Sequence, residues 1–88
     1  MGNDGNNYKD LLKSPFKLVG AKQAEKGVVK GGVRCVIVAF DAGEHIRSRF
    51  AALCKEYGAE FFDGPSMKEL GSLCGIEVGA SVTGILKE

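Results

Sequence analysis

The segment Val33-Arg34-Cys35-Val36-Ile37-Val38-Ala39-Phe40 constrains this chain most. It is almost continuously apolar and rich in β-branched side chains, which pack well on a pleated surface. A strand with one wet face alternates polar and apolar residues. This one does not, so both of its faces must be covered, as in a sheet with helices on each side. The chain has 88 residues, room for one such domain with a modest core.

The flanking sequence supplies the helices. Asp41-Ala42-Gly43-Glu44 predicts a helix start, with Asp41 as N-cap and Glu44 three residues on. Ile46, Phe50, Leu53, Cys54 and Tyr57 then form one apolar stripe, and Gly58 suits the C-cap. Ala59 to Asp63 predicts a strand with Phe61 and Phe62 on opposite sides. Ser66-Met67-Lys68-Glu69 is a second capping pattern after Pro65; Met67, Leu70, Leu73 and Cys74 make its apolar side, and Gly75 ends it. Residues 76–80 read as a loop and Ser81 to Leu86 as the last strand.

Toward the N-terminus, Tyr8 to Ser14 predicts a short helix ended by Pro15, and Phe16 to Val19 a short strand closed by Gly20. A helix from Lys22 to Lys30 stops at Gly31-Gly32. Gly27 in its interior costs about 1 kcal/mol against alanine. Helices alternating with strands give a single-domain three-layer α/β/α sandwich over residues 8–88. Residues 1–7 are polar, rich in Gly and Asn, and without the cationic and apolar regions of a signal peptide; a disordered tail is expected there.

Charge is not spread evenly. Lys17, Lys22, Lys26, Lys30 and Arg34 stand against one acid, Glu25, in a chain whose net charge is only +1. Lys22, Lys26 and Lys30 recur every four residues, so one helical face carries three ammonium groups. Gly20-Ala21 opens that helix. Its first free N–H groups and positive dipole end, together with Lys22 and Gln23, can donate to phosphates or to acceptor edges of purines. A solvated lysine face is the plainer reading of the same pattern. Ile76-Glu77-Val78, bounded by Gly75 and Gly79, is either tucked into the core or a small exposed platform for a splayed base.

Enzyme chemistry has little support. There is one histidine, His45, beside Glu44 and Arg47 and expected at the surface. No serine has the G-x-S-x-G setting, and no phosphate-binding G-x-x-x-x-G-K-[ST] loop occurs. Asp63 reads as a turn residue. Cys35, Cys54 and Cys74 are odd in number, lack C-x-x-C spacing and sit in apolar settings, which suits reduced thiols of a cytosolic protein rather than a zinc site with His45. No apolar run approaches the roughly 20 residues of a membrane span.

Three blocks carry a family resemblance: Gly20-Ala-Lys-Gln-Ala-Glu-Lys26, Ser66-Met-Lys-Glu-Leu-Gly71 and Cys74-Gly-Ile-Glu-Val-Gly-Ala80. In this order and spacing they resemble the kink-turn-binding ribosomal protein superfamily of L-seven-Ae and L-thirty-e proteins, and most its short bacterial, YbxF-type branch. The resemblance covers about residue 8 to the C-terminus. It implies the L-thirty-e-like sandwich, no enzymatic activity, no cofactor, and recognition of RNA kink-turns, bent helices with a three-nucleotide bulge followed by sheared G·A pairs. Carried over by position, Lys22 and Gln23 address the guanines of those pairs, with Gly20 and Ala21 beside them at the RNA-binding helix mouth. Lys26 lies near the bulge backbone, with Lys30 behind it. Ile76, Glu77 and Val78 hold extruded nucleotides. The chain departs from the archaeal and eukaryotic pattern in carrying Lys22-Gln23 where those members have Asn-Glu. Gly27 is expected to soften the basic helix, and Pro15 to alter how the first helix packs. The expected protein is a cytoplasmic monomer binding ribosomal RNA, a riboswitch or another structured transcript. The competing expectation is a protein-interaction module or ribosome-associated scaffold on the same fold.

Overall fold

The computed structural model describes residues 7–87. In chain order the elements are α1 (Asn7–Leu11), β1 (Lys17–Val19), α2 (Ala21–Val29), β2 (Val33–Ala39), α3 (Glu44–Tyr57), β3 (Glu60–Gly64), α4 (Met67–Leu73) and β4 (Val82–Leu86). One four-stranded sheet runs β1-β4-β2-β3, with β4 antiparallel to both neighbours and β2 parallel to β3.

The apolar run does what its composition requires. Every β2 residue except Arg34 is buried. Val36 and Val38 face a cluster with Ala24 and Val28 of α2 and Phe50 and Cys54 of α3. Cys35, Ile37 and Ala39 face the opposite cluster, with Leu12 after α1, Leu70 of α4 and Ile85. The sheet is thus sandwiched between α2–α3 and α1–α4, the three layers expected. Phe61 and Phe62 split between the two clusters as their alternation requires. A register irregularity between Val33 and Cys35 puts Val33 on the α2–α3 side, with the even-numbered valines, and leaves Arg34 in solvent.

Several local expectations change. Asp41 does not cap α3. Gly43 holds that position without a side-chain bond, and Asp41 Oδ1 instead accepts from the Met67 amide at 2.8 Å. Ser66 Oγ accepts from the Glu69 amide at 3.1 Å, so the mouth of α4 is closed twice. Asp63 is no turn residue: it lies in β3 and pairs with Arg47 of α3. α1 is shorter than expected and already opens at Asn7; the tail expectation otherwise lies outside the described residues. Tyr57 and Leu73 lie at the exposed edges of their stripes, and Phe40, beyond the end of β2, is 61% exposed. Gly27 is also closely packed. A Cβ there would meet Leu18 Cδ1 and Val33 Cγ2, each at 2.7 Å.

Gly71 does more for the site. Its missing side chain lets the loop after α4 lie against the helix backbone: a Cβ would meet the Val78 carbonyl, with Gly79 Cα at 3.1 Å. Two main-chain bonds clamp the loop there, Ile76 N to Gly71 O at 3.0 Å and Ala80 N to Met67 O at 2.9 Å. Gly71→Ala gains helix propensity of up to about 1 kcal/mol. It is nevertheless expected to destabilise the domain by about 1–3 kcal/mol net, because backbone on the far side cannot rotate away. A urea titration checks this; a stabilised variant contradicts it.

The thiols are separated. Cys35 and Cys54 lie on opposite sides of the sheet, and among the described residues no three potential ligands meet to hold a metal. Burial pushes both thiols up from 9.0 to about 11. Folding therefore holds protons that the unfolded chain releases. The thiol contribution to stability is intact below pH 9 and lost as pH climbs toward 11. At pH 8 a thiol reagent is expected to modify Cys74 at most in the native protein, and all three cysteines after unfolding. Fast native labelling of Cys35 or Cys54 would contradict the buried placement.

Candidate nucleic-acid interface

Four strand ends and three helix mouths meet at one end of the sheet. Gly20, before α2, donates its amide to Val82 O at 2.7 Å, and Val82 also pairs with Val38 near the end of β2. Ala39 N donates to Ser81 O at 2.8 Å. The clamped loop enters β4 here, so the mouth of α2 and the loop converge on the same two peptides. Val78 lies four residues before Val82, no more than about 14 Å of chain. The resulting surface crosses the end of the sandwich and draws on both helix layers.

The mouth of α2 is open. Gly20 adopts φ 108° and ψ 148°, a left-handed conformation that favours glycine, and makes no side-chain cap. The first intrahelical bond is Ala24 N to Gly20 O, at 3.0 Å. The amides of Ala21, Lys22 and Gln23 precede that ladder and sit at the positive end of the helix dipole. Lys22 and Gln23 are exposed, and Ala21 is half-buried. The other mouths at this end differ. That of α4 is filled by Asp41 and Ser66, and that of α3 carries the acid Glu44 in its first turn. The mouth of α2 is uncapped and carries a lysine with no acid in its first turn.

Lys22, Lys26 and Lys30 do share a face, where they border a shallow groove with Glu25 and the exposed Val29. Gln23 lies on the other flank with Lys26 and Lys30, toward the β1 edge. Lys30 caps the C-terminal end of α2. It stands eight residues from Lys22, roughly 12 Å along the axis, where a cation also complements the helix dipole. Lys17 and Arg34 are not brought to this end. Each belongs to the start of a strand, and Lys17 Nζ is engaged with Ser14 O at 3.0 Å.

Glu25, the acid of the basic segment, is neutralised in place. Arg49 of α3 donates through Nε to Glu25 Oε1 at 3.2 Å and through Nη2 to Oε2, a two-bond fork. That hydrogen bonding, with the guanidinium charge, holds the Glu25 carboxyl below its usual range. This device escaped sequence reading, because Arg49 is 24 residues from its partner and no local spacing marks it.

In the loop, Ile76 is 36% and Val78 70% exposed, and Glu77 is exposed between them. The core alternative for these branched residues is therefore excluded. Their backbone is docked while their side chains face out, an apolar ledge with one carboxylate.

Relatives share this architecture. A family model described as Ribosomal protein L7Ae/L30e/S12e/Gadd45 family matches residues 7–88. The chain is 43% identical over 67 residues to an RNA-binding protein of Caldanaerobacter subterraneus subsp. tengcongensis, covering 76% of this chain and 82% of the relative. It is 34% identical over 80 residues to RNA-binding protein YbxF of Geobacillus stearothermophilus, covering 91% and 98%. Among solved structures, the Giardia lamblia 15.5kD RNA binding protein superposes with a TM-score of 0.78 at 27% identity, covering 94% of this chain and 70% of that one. The alternation of helices and strands, the three sequence blocks and these similarities converge on one assignment: the chain belongs to the Ribosomal protein L7Ae/L30e/S12e/Gadd45 family.

Proposed function

We propose that this protein binds RNA and stabilises kink-turns, using the open mouth of α2 and the ledge of Ile76, Glu77 and Val78 as two halves of one site. The carrying observation is their convergence on Val82 at a single end of the sheet, with the loop side chains in solvent. The names of the relatives, RNA-binding proteins of bacteria and of Giardia, support the same reading.

Each part has a physical task. Free amides at Ala21 to Gln23, with the Lys22 ammonium, favour acceptors such as guanine edges and phosphate oxygens. Gln23 both donates and accepts, which suits a base edge better than a phosphate. Lys26 and Lys30 offset phosphate repulsion where two stems approach, and the Arg49–Glu25 fork removes the acid that would oppose them. Glu77 repels phosphates but can accept from exocyclic amines, so it favours bases over backbone in the loop. The RNA alternates between extended and bent forms; a protein that fits the bent form draws the population toward it. This work needs no cofactor and one copy of the chain. Buried unpaired thiols at Cys35 and Cys54 favour the reducing cytoplasm as its setting.

The test is a gel shift with a kink-turn RNA beside the same RNA with its G·A pairs replaced. The unaltered protein is expected to prefer the intact kink-turn. Lys22→Ala with Gln23→Ala should weaken that binding at least tenfold, from about 1–3 kcal/mol per lost base contact, at unchanged thermal stability. Equal affinity for both RNAs would refute kink-turn recognition, and an unaffected double variant would remove α2 from the interface. With three lysines meeting phosphates, raising salt from about 50 to 200 mM should weaken binding roughly 20- to 40-fold. An affinity flat across that range would contradict a lysine-based surface.

A further inference from the structure

Phe40 is a large side chain that the fold leaves uncovered. It follows β2 directly and is 61% exposed, although every residue from Cys35 to Ala39 is fully buried. Single exposed apolar residues are ordinary on soluble proteins, so exposure alone decides nothing. Position and rigidity do. Phe40 lies two residues beyond Val38, which pairs with the Val82 that receives the Gly20 amide. At about 3.3 Å per residue and 4.8 Å between strands, its backbone is on the order of 10 Å from the mouth of α2. It stands at the end of the central strand, across β4 from the mouth of α2 and beside the first turn of α3. Phe16 is exposed to a similar degree but precedes β1, at the opposite end of the sheet, where Leu86 N bonds its carbonyl.

The backbone under the ring is fixed on every side. Phe40 N donates to Pro65 O at 3.1 Å, Ala39 N to Ser81 O at 2.8 Å, and Ala42 N to Ala39 O at 3.1 Å. Asp41, the next residue, is committed to the Met67 amide. One flank of the ring borders an open hollow lined by Gly43, Glu44, Arg47 and the half-buried Phe61. With its backbone fixed, Phe40 has only its own side-chain torsions left to order when a flat partner stacks on the ring. Nucleobases are such partners, and each base stacked on an aromatic side chain contributes about 1–3 kcal/mol. The carboxylate of Glu44 beside the hollow disfavours a phosphate there and so favours a base over backbone.

We infer, resting on the RNA-binding reading above, that Phe40 is a stacking platform for one unpaired nucleobase of the bound RNA. It adds an aromatic contact at the same end of the sheet, on the α3 side of the lysine helix and the apolar loop. The ligand class is an extruded purine or pyrimidine, held by its face and so with little preference for sequence.

The experiment measures affinity for a kink-turn RNA and for versions in which each bulge nucleotide in turn is made abasic. Phe40→Ala is expected to weaken binding to the intact RNA about 5- to 150-fold. Against the one abasic RNA that lacks the stacked base, the same substitution should change affinity by less than about twofold, since the contact is already gone. Phe40→Trp should retain binding, whereas Phe40→Leu, apolar but without a π-face, should resemble Phe40→Ala. Unchanged thermal melts control for folding, because the ring contributes little to the core. Phe40→Ala within twofold of the unaltered protein on the intact RNA overturns the assignment, as does an equal loss on every abasic RNA or full retention by Phe40→Leu. If the unaltered protein itself prefers the kink-turn no more than a plain duplex, the underlying kink-turn reading fails and the stacking role with it. That outcome differs from a failure confined to Phe40.

Discussion

Burial of β2 on both faces is the constraint from which the rest of the molecule follows. Val36 and Val38 on one side, and Cys35, Ile37 and Ala39 on the other, demand apolar cover from two helix layers. Once both layers are in place, the helix faces are occupied by the core. Polar, variable chain can then gather only at the ends of the strands. One end collects the exit of β1, the exit of β2, the mouths of α2, α3 and α4, and the loop into β4. The position of the candidate interface is thus a result of how the core is closed.

At that end the electrostatics are arranged by subtraction. Three helix mouths converge, and a helix mouth attracts anions unless something occupies it. Asp41 and Ser66 occupy α4, and Glu44 lowers the potential at α3. The single acid of the basic helix is bound by Arg49. What remains positive is α2, although the whole chain is nearly neutral. The positive potential at this end is thereby concentrated at the mouth of α2.

Local chemistry was legible in the sequence, and tertiary chemistry was not. The unbroken apolar run located β2, Gly58 ended α3 in the left-handed conformation, and Ser66 capped α4, because each signal acts within four residues. The two candidate regions could be named from a lysine period and a pair of glycines, and the family blocks tied them together. The main-chain route that brings them to one end of the sheet runs through Val82, which belongs to neither. Asp41 fitted an N-cap pattern for α3 yet bonds α4, since a short acid reaches whichever free amide the fold brings nearest. Asp63 and Arg47 likewise found each other across β3 and α3. Gly27 looked like a weakness when judged by helix propensity alone; its use appears only against Leu18 and Val33. The exposure of Phe40 was hidden by five buried neighbours of the same character, where the sheet stops but the apolar composition continues.

The loop at residues 76–79 is secured to α4 by peptide groups and by the bare Cα of Gly71, while its side chains contribute almost nothing to holding it. Substitution at Ile76, Glu77 or Val78 can therefore change the exposed surface without unsettling the scaffold. Such uncoupling leaves three outward side chains open to exchange at little risk to foldability, while backbone contact constrains the glycine beneath them.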